Sequence, residues 1–168
     1  FAKEPHVMAL ARFLASAGAS IFIDYEKITV RGGSLNGGYS RIIGDMIEAG
    51  TYLAAGLVTG GEVTVSGVDV GDMRAFLSFL TAIGAHVHTD NSGITASRGD
   101  FHRAVTVIAD PYPAFATDLA PIAAPIIAVL SRGTIYDNVW RERFGYLSEL
   151  SHFGLISSRS DNSAVIHH

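Results

Sequence analysis

The side chains whose types and spacing could carry chemistry in this chain are few: Asp118, the pair Asp45 and Glu48, the arginines Arg141 and Arg143, and the histidines His86 and His88. An aspartate can take a proton from a hydroxyl in a transition state, and placed arginines can hold phosphate or carboxylate. Each group also has a plainer reading. Asp118 precedes a long apolar stretch and suits a helix N-cap, worth about 1 kcal/mol. Asp45 and Glu48 have the spacing of a capping box, and both could also order the rim of a cleft. Arg141 and Arg143 reach one anion together only from an extended backbone; otherwise they form a solvated charge cluster with Glu142. His86 and His88 share a strand face, as metal ligands can, but no third ligand is placed beside them, so a solvated or hydrogen-bonded pair is expected.

Gly32, Gly33, Gly37 and Gly38 crowd one stretch, yet no Gly-Lys-Ser or Gly-Lys-Thr follows, so a hinge or linker is read there and not a phosphate loop. The chain has no cysteine, which removes disulfides, thiolate metal sites and a cysteine nucleophile from this segment. A formal charge of -4 argues against a nucleic-acid surface, which needs clustered cations. Only Lys3 and Lys27 are lysines and the arginines are scattered, so a bound anion would be held by one or two placed arginines. With 168 residues, 48% hydrophobic and 17% charged, the chain can build one domain or two small lobes around a core. No apolar run reaches the roughly 20 residues of a spanning helix. Phe1 opens the chain without a basic leader region, so neither membrane insertion nor secretion is expected.

The elements that must position these side chains follow from hydrophobic periodicity. Residues 4–17 read as an amphipathic helix with Pro5 in its first turn, and 20–22 with 28–31 as a hairpin. Residues 45–59 form a helix that is apolar or small on nearly every face, the mark of a buried helix. A strand over 62–67, an amphipathic helix over 72–83 and a hairpin of 86–88 with 94–96 come next. The order then restarts with a strand at 105–108, a loop at 110–117 and residues 119–130, which carry no polar side chain and are too short to cross a membrane. A strand over 134–139, a helix over 142–153 and a hairpin over 156–168 close the chain.

That restart is a repeat. Phe13-Leu14-x-x-x-Gly18, Phe79-Leu80-x-x-x-Gly84 and Glu149-Leu150-x-x-x-Gly154 each end a helix at a glycine suited to the left-handed cap position. Asp45 and Asp118 start equivalent buried helices, which Gly60 and Gly133 end at the same separation. One unit therefore reads strand, buried helix, strand, outer helix, strand, strand. The chain holds the end of one unit and two nearly whole ones, as if cut from something longer.

Three stretches in order, residues 35–51 (Leu-Asn-Gly-Gly-Tyr-Ser-Arg-Ile-Ile-Gly-Asp-Met-Ile-Glu-Ala-Gly-Thr), 111–118 (Pro-Tyr-Pro-Ala-Phe-Ala-Thr-Asp) and 139–144 (Val-Trp-Arg-Glu-Arg-Phe), resemble the enolpyruvyl transferase family, in the branch that serves peptidoglycan synthesis. The resemblance implies an α/β fold of repeated βαβαββ units forming an inverse barrel, helices inside and sheets outside. It implies that residues 1–31 end one lobe, that 32–100 form the first unit of a second lobe and that 101–168 form its second unit. The implied reaction joins the 3-hydroxyl of UDP-N-acetylglucosamine to carbon 2 of phosphoenolpyruvate and expels phosphate. It needs no cofactor and is cytoplasmic.

Carried over residue by residue, the family's aspartate beside the sugar hydroxyl falls on Asp118, its valine against the nucleotide sugar on Val139, and cleft positions on Arg143, Asp45 and Glu48. The sequence departs from the family at Met46, where arginine is usual, at Ala116 for proline and at Arg141 for glutamate, with a shorter turn before Val139. The family's reactive cysteine or aspartate and its phosphoenolpyruvate-binding lysine fall outside these residues. Met46 and Arg141 favour a rival reading, transfer to another nucleotide or to shikimate 3-phosphate. A reading of a different class is a non-catalytic repeat module, whose open ends would let the fragment self-associate.

Overall fold

A computed structural model of the chain describes residues 3–101 and 104–167. Phe1 and His168, read above as the chain opening and the end of the last strand, lie outside the described residues. The chain forms two compact units that divide after Ile43.

The first unit holds helix α1 (Pro5–Ser16) and an antiparallel hairpin of β1 (Ser20–Ile23) and β2 (Ile28–Arg31). Asp24 shapes the turn, its carboxylate accepting from the amides of Glu26 and Lys27. The glycine-rich stretch is not a free linker: Asn36 N donates to Ala17 O at 2.8 Å, which holds it against the end of α1. The two compact units divide beyond this stretch.

The second unit opens with α2 (Met46–Val58), β3 (Glu62–Val65), α3 (Val70–Ile83), β4 (His86–Asp90) and β5 (Gly93–Ser97). These strands form an antiparallel sheet in the order β3-β5-β4. The strand expected ahead of α2 is missing among the described residues. Next come β6 (Val105–Ala109), a short 3-10 helix (Thr117–Leu119), α4 (Ala120–Leu130), β7 (Gly133–Asp137), α5 (Gly145–Ser151), β8 (Ile156–Ser160) and β9 (Ser163–His167). The sheet order is β6-β7-β9-β8, with β6 and β7 parallel and joined through α4.

The repeated helix ending has one physical cause. Gly18, Gly84 and Gly154 have φ of 101, 105 and 93°, a region that costs a residue with a Cβ about 1–2 kcal/mol. The residue after each glycine turns its amide back to the repeated leucine: Ala19 to Leu14, Ala85 to Leu80 and Leu155 to Leu150. These are Schellman closures, and they aim the chain into the following hairpin.

The core joins both repeats. Helix α4 buries Ala120, Ala123, Ala124, Ile126, Ile127 and Leu130, as its composition requires. Helix α2 differs from the expectation of burial on every side: Glu48, Tyr52 and Ala55 are exposed. Its close contacts are made by small residues, with Gly50 against Leu119 and Gly56 against Val63, so one face carries the packing. Phe115 from the loop after β6 meets Phe76 and Phe79 of α3, with ring centroids 6.1 and 5.9 Å apart. Such aromatic contacts add about 0.5–1.5 kcal/mol beyond area burial.

Candidate active site

Strands β6 and β7 run parallel and end side by side, and a crevice beyond the carboxyl ends of parallel strands is where α/β proteins gather ligand-binding loops. Two segments leave that edge. One runs from Asp110 to Asp118; Phe115 anchors it in the aromatic cluster, and Tyr112, behind a cis Tyr112–Pro113 bond, donates its hydroxyl to Asp72 at 3.2 Å. The other runs from Asn138 to Phe144. Asn138 ties them, its backbone amide donating to Ala109 O at 2.9 Å and its side chain to the Asp110 carboxylate at 3.2 Å.

Asp118 sits within the 3-10 helix and makes no capping bond to the start of α4, so the N-cap reading does not hold. Its carboxylate instead meets the Arg143 guanidinium at 2.5 Å, with side chains 45% and 41% exposed. Arg143 lies on the wall of an open depression of about 600 Å³ lined by Val139, Trp140, Arg141, Glu142 and Arg143. Three of the residues singled out from sequence, Asp118, Val139 and Arg143, are thus brought together. The backbone there turns, with Arg143 N donating to Trp140 O, so Arg141 and Arg143 do not extend toward one anion as a strand would have allowed.

Asp45 and Glu48 lie in a second depression, of about 360 Å³, with Tyr52 and the edge of β3. Asp45 is an N-cap, accepting from Ile47 N at 2.7 Å and Glu48 N at 3.3 Å, which is one half of the expected capping box. His86 and His88 lie on β4, and His88 pairs with Asp90 at 3.2 Å.

Sequence reasoning passed over one residue that the site is built on and one that lies near it. Asp137, at the end of β7, is 1% exposed; it accepts from Val139 N at 2.9 Å, Trp140 N at 2.8 Å and Thr117 Oγ1 at 2.5 Å. This is why β7 stops at Asp137 and not at Val139: the amides of Val139 and Trp140 bond to a side chain instead of continuing a ladder, and α5 begins only at Gly145, not at residue 142. The signal was present, since in a strand with alternating burial Gly133, Ile135 and Asp137 point inward together. The second is Tyr146, whose buried hydroxyl has no partner among the described residues. Burial foremost, and then the Asp137 carboxylate, push its ionisation well above the usual tyrosine range, against a smaller opposing effect of Arg143.

The repeated unit and this site define an enolpyruvyl transferase-like α/β fold. The solved enolpyruvyl transferase NikO from Streptomyces tendae superposes with a TM-score of 0.76 at 24% identity, over 97% of this chain and 40% of that one. The sequence profile of EPSP synthase (3-phosphoshikimate 1-carboxyvinyltransferase) matches residues 1–163, and the chain belongs to that family. UDP-N-acetylglucosamine 1-carboxyvinyltransferase of Wolbachia sp. subsp. Drosophila simulans is 36% identical over 168 residues, covering 98% of this chain and 40% of the relative. The Kosmotoga olearia protein of the same name is 37% identical over 153 residues, covering 89% and 36%. The chain thus spans about two fifths of the length of these relatives. Among the described residues no helix is long and apolar enough to cross a membrane.

Proposed function

We propose that the protein containing this chain transfers the enolpyruvyl group of phosphoenolpyruvate to the 3-hydroxyl of UDP-N-acetylglucosamine, in the cytoplasmic stage of peptidoglycan synthesis. The observation that carries the reading is the meeting of Asp118 with Arg143 beside the Val139–Arg143 wall, at the carboxyl ends of a parallel strand pair. Asp118 takes the hydroxyl proton as oxygen attacks carbon 2, and the displaced double-bond pair takes a proton at the methylene carbon from an acid outside these residues. Loss of a proton from that carbon then restores the double bond as phosphate leaves, with the guanidinium stabilising the charge that develops. Val139 gives the nucleotide sugar an apolar contact. Asp45 and Glu48 order the rim of the same cleft in the complete protein. Residues 32–100 and 101–168 are two units of one lobe, and 1–31 close the other.

A second reading has one observation behind it. Arg141 lines the depression and makes no ion pair among the described residues, so it adds positive charge where an acceptor would lie. That favours a more anionic acceptor. Phosphate release by the full-length protein, given phosphoenolpyruvate with UDP-N-acetylglucosamine or with shikimate 3-phosphate, separates the two. Turnover with the first acceptor alone supports the primary reading, and turnover with the second alone replaces it.

A further inference from the structure

Asp137 is almost fully buried. The first repeat carries no carboxylate at this place: Val65 lies opposite Ile94 as Ile135 lies opposite Ala164, and the residue two beyond Val65 is Gly67, where Asp137 stands two beyond Ile135. A buried carboxylate costs free energy unless its oxygens are satisfied, and both oxygens of Asp137 are. Oδ2 takes the Thr117 hydroxyl, one residue from Asp118; Oδ1 takes the amides of Val139 and Trp140, and Trp140 O in turn accepts from Arg143 N. One carboxylate therefore clamps the two segments close to Asp118 and Arg143, beyond the tie that Asn138 makes to Ala109 and Asp110 where the segments begin.

We infer that Asp137 is a positioning residue: its bridge from Thr117 to the Val139–Trp140 turn sets the distance between Asp118 and Arg143 and makes them act as one group. The inference deepens the functional proposal and rests on it for its kinetic consequence. Asparagine at this position can still accept both amides through Oδ1 and pair its amide with the Thr117 hydroxyl, whereas valine removes all three bonds without a large change of volume. A role through geometry and a role through charge are therefore separable.

The test uses the full-length protein. Asp137→Val is expected to lower kcat by about tenfold or more, with KM for each substrate changed less than about threefold, because loss of alignment falls on the reacting geometry. Asp137→Asn should recover most of that loss, and in an Asp118→Asn background Asp137→Val should add little. Wild-type kcat in Asp137→Val, losses in the two variants that multiply, or an Asp137→Asn variant as impaired as the valine one would overturn the inference. Should Asp137→Val not fold, Thr117→Val cuts the same bridge from its other side and is expected to lower kcat; unchanged kcat there counts against the clamp. Amide hydrogen exchange keeps the two claims apart. If the wild type releases phosphate with neither acceptor, the functional reading fails, while the clamp still requires Val139 and Trp140 to be protected in the wild type and to lose protection in Asp137→Val.

Discussion

The Asp118 carboxylate lies 2.5 Å from the Arg143 guanidinium, although the two side chains come from separate segments that leave neighbouring parallel strands. Both are close to half exposed, so the pair contributes at most about 1 kcal/mol to folding. Its value lies in the charge arrangement it presents to the depression beside it.

Asp118→Asn in the full-length protein should therefore lower kcat by about a hundredfold or more while shifting stability by less than about 1 kcal/mol. Phosphate release and thermal melting measured on one preparation check both halves. Wild-type turnover in this variant would remove Asp118 from the chemistry and leave it only its ion pair with Arg143.

Asp45 gives the opposite pattern on the stability side. Two amides of α2 donate to its carboxylate, so Asp45→Ala should cost about 1 kcal/mol and Asp45→Asn only a few tenths. Denaturant unfolding reads the difference. Equal losses in the two variants would show that charge at the helix start matters more than the cap.

Tyr146→Phe should stabilise the fold by about 1 kcal/mol, because it deletes a buried hydroxyl that has no partner. The pH dependence has a definite sign. The folded state holds Tyr146 neutral beyond the ordinary range, so its contribution is complete below the unfolded value of about 10 and is lost as pH rises from there toward the folded value. Melting temperatures measured from pH 8 to pH 11 should fall less steeply in Tyr146→Phe than in the wild type. Parallel curves would mean that the hydroxyl is solvated.

Gly84→Ala should destabilise by at least about 2 kcal/mol. The backbone φ is 105°, and an added Cβ would come within 2.1 Å of Asp100 O, a backbone atom that cannot swing aside. Equilibrium unfolding measures the loss, and a change under about 0.5 kcal/mol would mean that the cap relaxes without strain.

Much of this architecture was legible in the sequence because local rules govern it. The three glycine caps, the apolar α4 and the hairpins follow from backbone sterics and periodicity, which act within a few residues. The errors gather where a distant partner decides. Asp118 looks like a cap until Arg143 is brought to it, and residues 139–144 look like strand and helix until the Asp137 side chain captures the amides of Val139 and Trp140. Helix α2 looked buried throughout because composition does not tell which face meets α4 and β3. The exposed side, with Tyr52 and Glu48, is chosen by where Gly50 and Gly56 permit close approach.

The aromatic cluster has a bearing on modularity. Phe115 belongs to the loop that delivers Thr117 and Asp118, yet its neighbours Phe76 and Phe79 belong to α3 of the preceding repeat, as does Asp72, which receives the Tyr112 hydroxyl. The segment that recurs in sequence is therefore not the segment that could be transplanted. Excising residues 101–168, or grafting them onto a foreign partner, would carry Asp118 away from the surface that seats its loop. The smallest inheritable piece of this site is a pair of repeats.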